Sequence, residues 1–322
     1  MPDTDPGTLR HRLPDEQRRS DEPPDGLPAV PRRELPSDPW RLAPMGPDFD
    51  LALEAGLDQL GLAGALAGSA PARRSYEAHA RLLRDWGTAI NLTAILEPAG
   101  IARRHVCDSL SAAPRLAAIV RPGATMLDLG SGGGYPGLPL AAALPLGRVA
   151  LLDSIGKKSR FLAVAAAAVH ATLRAGAVLD HTGATNGQAL DEAGSADAAL
   201  PRIAAICERS EDLAEEPEHR GAWDVVTARA VGSLAEVFEL AMPLARVGGV
   251  VVAWKREEER GGLRAELREA GWILRATGGG RPEVVIVAAA MLAGHRLVIV
   301  PKERPTPAGY PRPAGVRRRR RR

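Results

Sequence analysis

The stretch from Thr125 to Gly137 (TMLDLGSGGGYPG) restricts the possible folds of this chain more than any other. An apolar run, Ala124 to Leu129, carries an acid at Asp128, and a glycine cluster follows at once. An alanine- and leucine-rich stretch, Leu138 to Leu144, comes next. That order reads as strand, tight loop and helix, the entry to a nucleotide-type pocket in an α/β fold. Gly130, Gly132 and Gly134 lack a Cβ, so the backbone can turn sharply and a ligand can lie against it. Pro136 sets φ near the start of the following helix, where a missing N–H costs little.

The acid narrows the choice of ligand. A pyrophosphate seeks free backbone N–H groups at a helix N-terminus, and a carboxylate at Asp128 would repel it. S-adenosylmethionine carries an ammonium and a sulfonium and no phosphate, so the Asp-x-Gly-x-Gly-x-Gly pattern favours it over NAD. A second run, Gly147 to Asp153, again ends in an acid. Asp153 lies about one β-α-β unit onward, where a carboxylate can take both ribose hydroxyls. The competing reading is a glycine turn followed by a surface aspartate.

A chain of 322 residues can bury a sizeable core and hold one catalytic domain with extensions. Its formal net charge of +3 depends on the six terminal arginines, 317–322, without which the balance is −3. Affinity for RNA then has to come from a local patch or from that tail. Cys107 and Cys207 are too few for a disulfide framework or a cysteine-built zinc site. No apolar run reaches the roughly 18 residues of a membrane span, and the N-terminus lacks the apolar core of a signal peptide. The expectation is a soluble cytoplasmic monomer with no metal and no membrane contact.

Residues 1–48 hold 11 of the 27 prolines among charges of both signs and are expected to be disordered. A helical region is expected over 49–122. Leu51, Leu53, Leu57, Leu60 and Leu62 suggest one helix, and Tyr76, Ala80, Leu83 and Trp86 a longer one over 72–90. The α/β domain spans 123–302. Its strands are expected at about 124–129, 148–153, 203–206, 223–227 and 250–254, with a closing pair near 283–287 and 296–300. A helix is expected over 156–171, and residues 175–202 read as an inserted loop. Residues 303–322 read as a disordered basic tail whose arginines can bind RNA phosphates without sequence preference. The pattern predicts a Rossmann-like, mostly parallel seven-stranded sheet with one antiparallel strand and an N-terminal helical cap.

Taken in order, these segments resemble the RsmG (GidB) family of bacterial 16S ribosomal RNA guanine-N7 methyltransferases. The matching residues are Trp86 to Thr93 (WGTAINLT), His105 to Leu110 (HVCDSL), the loop from Asp128 to Pro139 and Leu152 to Lys158 (LDSIGKK). Further on come Arg209 to Asp212 (RSED), Thr227 to Ala230 (TARA) and Ala253 to Lys255 (AWK). The resemblance covers about 71–302 apart from the inserted loop, and the tail from Pro305 to Pro311 is similar to that of actinobacterial members. The 1–48 extension, the insertion and the pure arginine end depart from the pattern.

The resemblance implies a class I S-adenosylmethionine-dependent methyltransferase acting on N7 of a guanine in the 530 loop (position 527) of 16S rRNA, with the small ribosomal subunit as partner. It implies a cofactor pocket made by Gly130 and Tyr135, by Ser210 and Glu211 after the third strand, and by Arg229 after the fourth. Gly132 and Asp153 join that pocket on general grounds. Guanine N7 is already a lone-pair nucleophile, so alignment and desolvation matter more than a strong base. Arg229 and Lys255, at the ends of strands four and five, are the catalytic candidates, placed to grip phosphates and the O6/N7 edge. Arg103, Arg104, Lys157 and Arg209 are candidates for RNA phosphates. For each arginine the competing reading is a surface ion pair. His105 and Asp108 share a helical face and form either an acid–base pair or a structural one. The alternative function is a methyltransferase acting on another RNA base or a small molecule, which would not need Arg229, Lys255 or the tail. An NAD-linked oxidoreductase would carry Tyr-x-x-x-Lys or a His–Asp relay after strand four, and neither is found. A non-catalytic RNA-binding relative would have a damaged cofactor loop, and this one is intact.

Overall fold

Alternating burial is what turns seven short apolar runs into one sheet. In the computed structural model, which describes residues 35–182, 200–257 and 262–319, the strands are β1 (Ala124–Leu129), β2 (Leu146–Leu152), β3 (Arg202–Ile206), β4 (Trp223–Arg229), β5 (Ala245–Arg256), β6 (Glu283–Ile286) and β7 (His295–Pro301). Met126, Val149, Val225 and Val252 point into one apolar layer, and Leu127, Ala150, Val226 and Val251 into the other. Both faces are therefore covered, as a parallel sheet requires. The order is β3-β2-β1-β4-β5-β7-β6. The neighbours from β3 to β5 pair in parallel, and β7 runs antiparallel to both β5 and β6. Winding reverses between β1 and β4, and in such sheets ligands bind at that switch point, outside the carboxyl ends.

The first layer is filled by the N-terminal helices. Helix Pro47–Gln59 has proline at its start and Asp48 and Asp50 in its first turn, both suited to a helix N-terminus. It buries Phe49, Leu53 and Leu57, whereas Leu51 is 65% exposed, so the buried face differs from the one the leucine spacing alone suggests. Helix Ala70–Gly87 is capped by the Ser69 hydroxyl and buries Tyr76, Ala80, Leu83 and Trp86 as expected. Disorder was expected up to residue 48, but residues 35–48 are placed against this helix. The Trp86 indole N–H donates to the Pro36 carbonyl at 2.8 Å, and Trp40 lies against the guanidiniums of Arg74 and Arg81. Arginine–aromatic contacts of this kind offset the entropy of ordering a proline-rich segment.

Helix Gly156–Thr182 runs past its expected end at 171 into the stretch read as an inserted loop. The remainder of that stretch, 183–199, lies outside the described residues, as do residues 1–34. Among the described residues no helix is long and apolar enough to cross a membrane, and no cluster of side chains could hold a metal ion.

The tail is the larger departure, because residues 303–319 are anchored rather than free. The buried Lys302 ammonium donates to the carbonyls of Met242 and Thr277, both at 2.7 Å, and pairs with the Thr306 hydroxyl. Arg220 spreads its guanidinium over the carbonyls of Ala214, Thr306, Pro307 and Tyr310. Arg312 forks onto Glu239, whose side chain is 3% exposed, with Nε to Oε1 and Nη2 to Oε2 both 2.7 Å. A fork of this geometry meets a carboxylate with two parallel donors. Removing Arg312 would strand a buried carboxylate. Arg312→Ala should therefore lose about 3–5 kcal/mol in urea unfolding, and adding Glu239→Leu should recover part of that loss.

Candidate active site

Gly130, Gly132 and Gly134 take φ of +69°, +56° and +84°, the left-handed region that other residues rarely enter. They fold the chain back over the end of β1 and bury Asp128 completely. Its carboxylate accepts the Ser131 hydroxyl at 2.5 Å, the Thr227 hydroxyl at 2.8 Å and the Gly137 N–H at 3.0 Å. The sequence argument set Asp128 facing a cationic ligand, whereas the loop covers it and makes it a clamp joining β1, β4 and the helix Gly137–Ala143. Burial pushes its pKa up to about 6, opposed by those three donors and by Arg229.

Asp153, immediately after β2, does what the sequence asked of the first acid: it sits at the pocket. Its Oδ2 accepts the Gly132 N–H at 3.1 Å and its Oδ1 the Ile155 N–H at 2.9 Å, so the loop and the end of β2 are tied together. A cavity of about 280 Å³ opens there, bringing together Gly130, Asp153, Ser210 and Glu211 with Leu152 and Val231. A Cβ on Gly130 would come within 2.9 Å of Val231, so the wall leaves no room for a side chain. Apolar side chains beside two carboxylates fit a base and a ribose. Ser210 donates to Glu211 at 3.1 Å, and Glu211 is also paired with Arg317. Burial alone would raise the Glu211 pKa, but the Arg317 guanidinium and the neighbouring hydrogen bonds outweigh it and hold the carboxylate below its ordinary value.

Gly132, Tyr135 and Arg229 are not among the residues lining this cavity; Gly132 is tied to it through its N–H to Asp153, and Tyr135 and Arg229 belong to an adjoining cluster. The Tyr135 ring is buried between His79, 4.3 Å away, and His105, 4.9 Å away, with the Arg229 guanidinium 5.5 Å from its centre. Arg229 Nη1 donates to Asp108 at 2.9 Å and to the Arg104 carbonyl at 3.1 Å. Asp108 also pairs with His295 at 2.7 Å, and its carbonyl accepts the Trp254 indole at 2.8 Å. His105 reaches the Thr93 hydroxyl at 2.8 Å from a π-helical turn, Ala102–Cys107, a distortion often found at functional sites. Burial and then Arg229 push the His105 pKa down to about 4, so its ring is neutral at physiological pH. Asp108 therefore serves as the anchor of Arg229 and His295 rather than as the partner of a proton-carrying His105.

Lys255, at the end of β5, donates to Glu266 at 2.7 Å and to the Gly232 carbonyl at 2.8 Å. Arg103, Lys157 and Arg209 are exposed, and Arg104 is exposed in a pair with Glu97. The sequence reading missed His79, His295 and Arg317. The His79 Nε2–H donates to the Gly133 carbonyl oxygen at 2.8 Å and so bears on the glycine loop. Its only sequence signal was a lone histidine on an apolar helix face. His295 carried none, and Arg317 stood only within the terminal arginine run read as a binder of RNA phosphates.

The strand order with a reversed β7, the glycine loop after β1 and the acid after β2 define a class I S-adenosylmethionine-dependent methyltransferase. The family model for rRNA small subunit methyltransferase G (GidB) matches residues 73–175 and 192–271. Ribosomal RNA small subunit methyltransferase G of Roseiflexus sp. (strain RS-1) is 37% identical over 251 residues, covering 77% of this chain and 92% of that relative. Its namesake in Deinococcus radiodurans is 35% identical over 285 residues, covering 86% and 93%. Among solved structures, Aeropyrum pernix fibrillarin with bound S-adenosyl-L-methionine is a more distant likeness, with TM-score 0.38 and 15% identity, covering 59% of this chain and 73% of that one. The chain belongs to the rRNA small subunit methyltransferase G family.

The buried clamp has a pH signature. The folded chain holds the Asp128 proton more tightly than the unfolded chain, so this stabilisation is complete below about pH 4 and is lost as pH rises through about 6. Asp128→Asn cannot ionise. Between pH 4 and pH 7 the unfolding free energy of the wild type should fall by about 2–3 kcal/mol more than that of the variant, measured by urea titration.

Proposed function

We propose that this protein transfers a methyl group from S-adenosylmethionine to N7 of a guanine in the 530 loop (position 527) of 16S rRNA, acting in the cytoplasm as a monomer on the small ribosomal subunit. The observation that carries this reading is a juxtaposition at the carboxyl ends of the strands. The cavity at Asp153 and Glu211 adjoins a buried cluster that fixes one arginine, Arg229, by a carboxylate and a carbonyl. The names of the relatives supply the RNA.

The cofactor supplies an electrophilic methyl carbon. Gly130, Gly132, Asp153, Ser210 and Glu211 would hold it. Tyr135 supports the loop from beneath, with its ring packed between two imidazoles. N7 carries no proton to be removed, which suits a site whose buried histidines are neutral: burial pushes His79 down to about 3 and His105 to about 4. Catalysis then rests on orientation and exclusion of water. Arg229, pre-positioned by Asp108, is the better candidate to orient the base or its phosphate. Lys255 is the weaker one, because Glu266 and Gly232 already satisfy its ammonium. Arg103, Arg104, Lys157 and Arg209 would meet phosphates, a salt-sensitive interaction without sequence preference.

The test uses small subunits from cells lacking the enzyme, incubated with protein and S-adenosylmethionine and then cleaved at N7-methylguanine with borohydride and aniline. One new cut in the 530 loop is expected. It should disappear with Gly130→Val and slow roughly a hundredfold with Arg229→Ala, the scale set by misplacing a reacting group. Tight cofactor binding with no cut would reassign the substrate to another base or a small molecule.

A further inference from the structure

The tail does not end at its last buried anchor. From Arg312, held by the Glu239 fork and by the Trp272 ring 4.8 Å away, the chain continues into the short helix Ala314–Arg319. Arg317 Nη1 turns back to the Arg312 carbonyl at 2.6 Å, and Nη2 pairs with Glu211 Oε1. That pair is well covered, with 11% of the Arg317 side chain and 19% of the Glu211 side chain exposed. A surface ion pair contributes little because water screens it and two long side chains must be ordered to make it. Here both costs are reduced. The guanidinium is already fixed by a backbone carbonyl of an anchored segment, and the carboxylate is already fixed by Ser210. Glu211 also lines the cavity at Asp153, and it lines two further cavities whose walls include tail residues, Pro313 and Ala314 in one and Ala314 and Arg317 in the other.

We infer that Arg317 is a positioning residue for the cofactor site: the C-terminal segment is part of the site's outer wall, and its guanidinium fixes the carboxylate of Glu211 where the adenine end of the cofactor would bind. The inference rests on the cofactor placement above. It separates two neighbouring kinds of arginine in what the sequence presents as one uniform block: Arg317 faces inward onto the enzyme, so it is withdrawn from any role in phosphate capture.

The test measures S-adenosylmethionine binding to the full-length protein by calorimetry, together with steady-state methylation of small subunits. Arg317→Ala should weaken cofactor binding about five- to tenfold, the range for losing one charge-assisted hydrogen bond that is partly exposed. KM for the cofactor should rise in step, while kcat at saturating cofactor and KM for the subunit stay unchanged. Arg317→Lys, which keeps the charge without the fork, should recover part of the loss. Arg317→Ala in a Glu211→Ala background should add little further loss, since the contact is then already gone. Equal cofactor affinity in Arg317→Ala and wild type would overturn the inference. So would an equal loss in Arg318→Ala, which would make the effect one of net charge. If the wild type itself fails to bind S-adenosylmethionine while binding RNA, the cofactor placement falls and the inference with it. Thermal melts of each variant without cofactor separate misfolding from a local effect, and a fold-deficient Arg317→Ala leaves Arg317→Lys to decide by the same affinity comparison.

Discussion

The buried carboxylate of Asp128 is the constraint around which the site is built. A carboxylate with no access to water is tolerable only when its oxygens are well supplied with donors. Here the donors come from three separate pieces of chain: the glycine loop, β4 and the first turn of the helix after the loop. Satisfying one side chain therefore sets the path of the loop relative to two strands. The same requirement explains why Gly137 is small: a Cβ there would lie 2.8 Å from the Asp128 carboxylate and 2.4 Å from Leu151. Asp153 is left free of that duty and can turn its carboxylate to the cavity while holding the loop by one N–H.

Charges near the site follow a second rule, which is that each of the principal cations already has a carboxylate. Arg229 has Asp108, Lys255 has Glu266 and Arg317 has Glu211. Pairing lets cations sit at partly buried strand ends without the full penalty of desolvation. It also means that contact with an RNA phosphate would require exchange of an existing partner, whereas Arg103, Lys157 and Arg209 are exposed at the surface. The exposed cations and the paired ones thus differ in how readily they could meet a phosphate.

The helical cap contributes more than cover. The His79–Tyr135–His105 stack joins the helix Ala70–Gly87, the glycine loop and the π-helical turn in one column of rings. A stack of neutral rings conveys position without carrying a proton, which is consistent with chemistry on a nucleophile that is already deprotonated. Trp254 extends the same joint to β5 through the Asp108 carbonyl, so the cap is keyed to the carboxyl edge of the sheet at several points.

Local sequence was enough for the sheet. Runs such as Thr125–Leu129 and Val250–Trp254 are short, mostly apolar and bounded on one side by glycine, which suits interior strands, and the glycine loop between an acid-bearing strand and an apolar helix allows few alternatives. Gly130 and Asp153 could be proposed because each directly follows a strand in a fold where ligands bind at strand ends, whereas Ser210 and Glu211, four and five residues beyond β3, were proposed through the family resemblance, and the structure brings all four to one cavity. What tertiary structure alone decided was which charges meet. Asp128 reads as a ligand group until the loop closes over it, and Arg229 reads as a free cation until Asp108, 121 residues away, is brought to it. The tail reads as disordered from its prolines and arginines, because composition records how few apolar groups it has and not that a buried Glu239 and a half-buried Glu211 lie along the surface it crosses. Periodicity is a local property and survives in the sequence; ion-pair partners are chosen by the fold, because Coulomb attraction acts through space and has no sequence spacing to read.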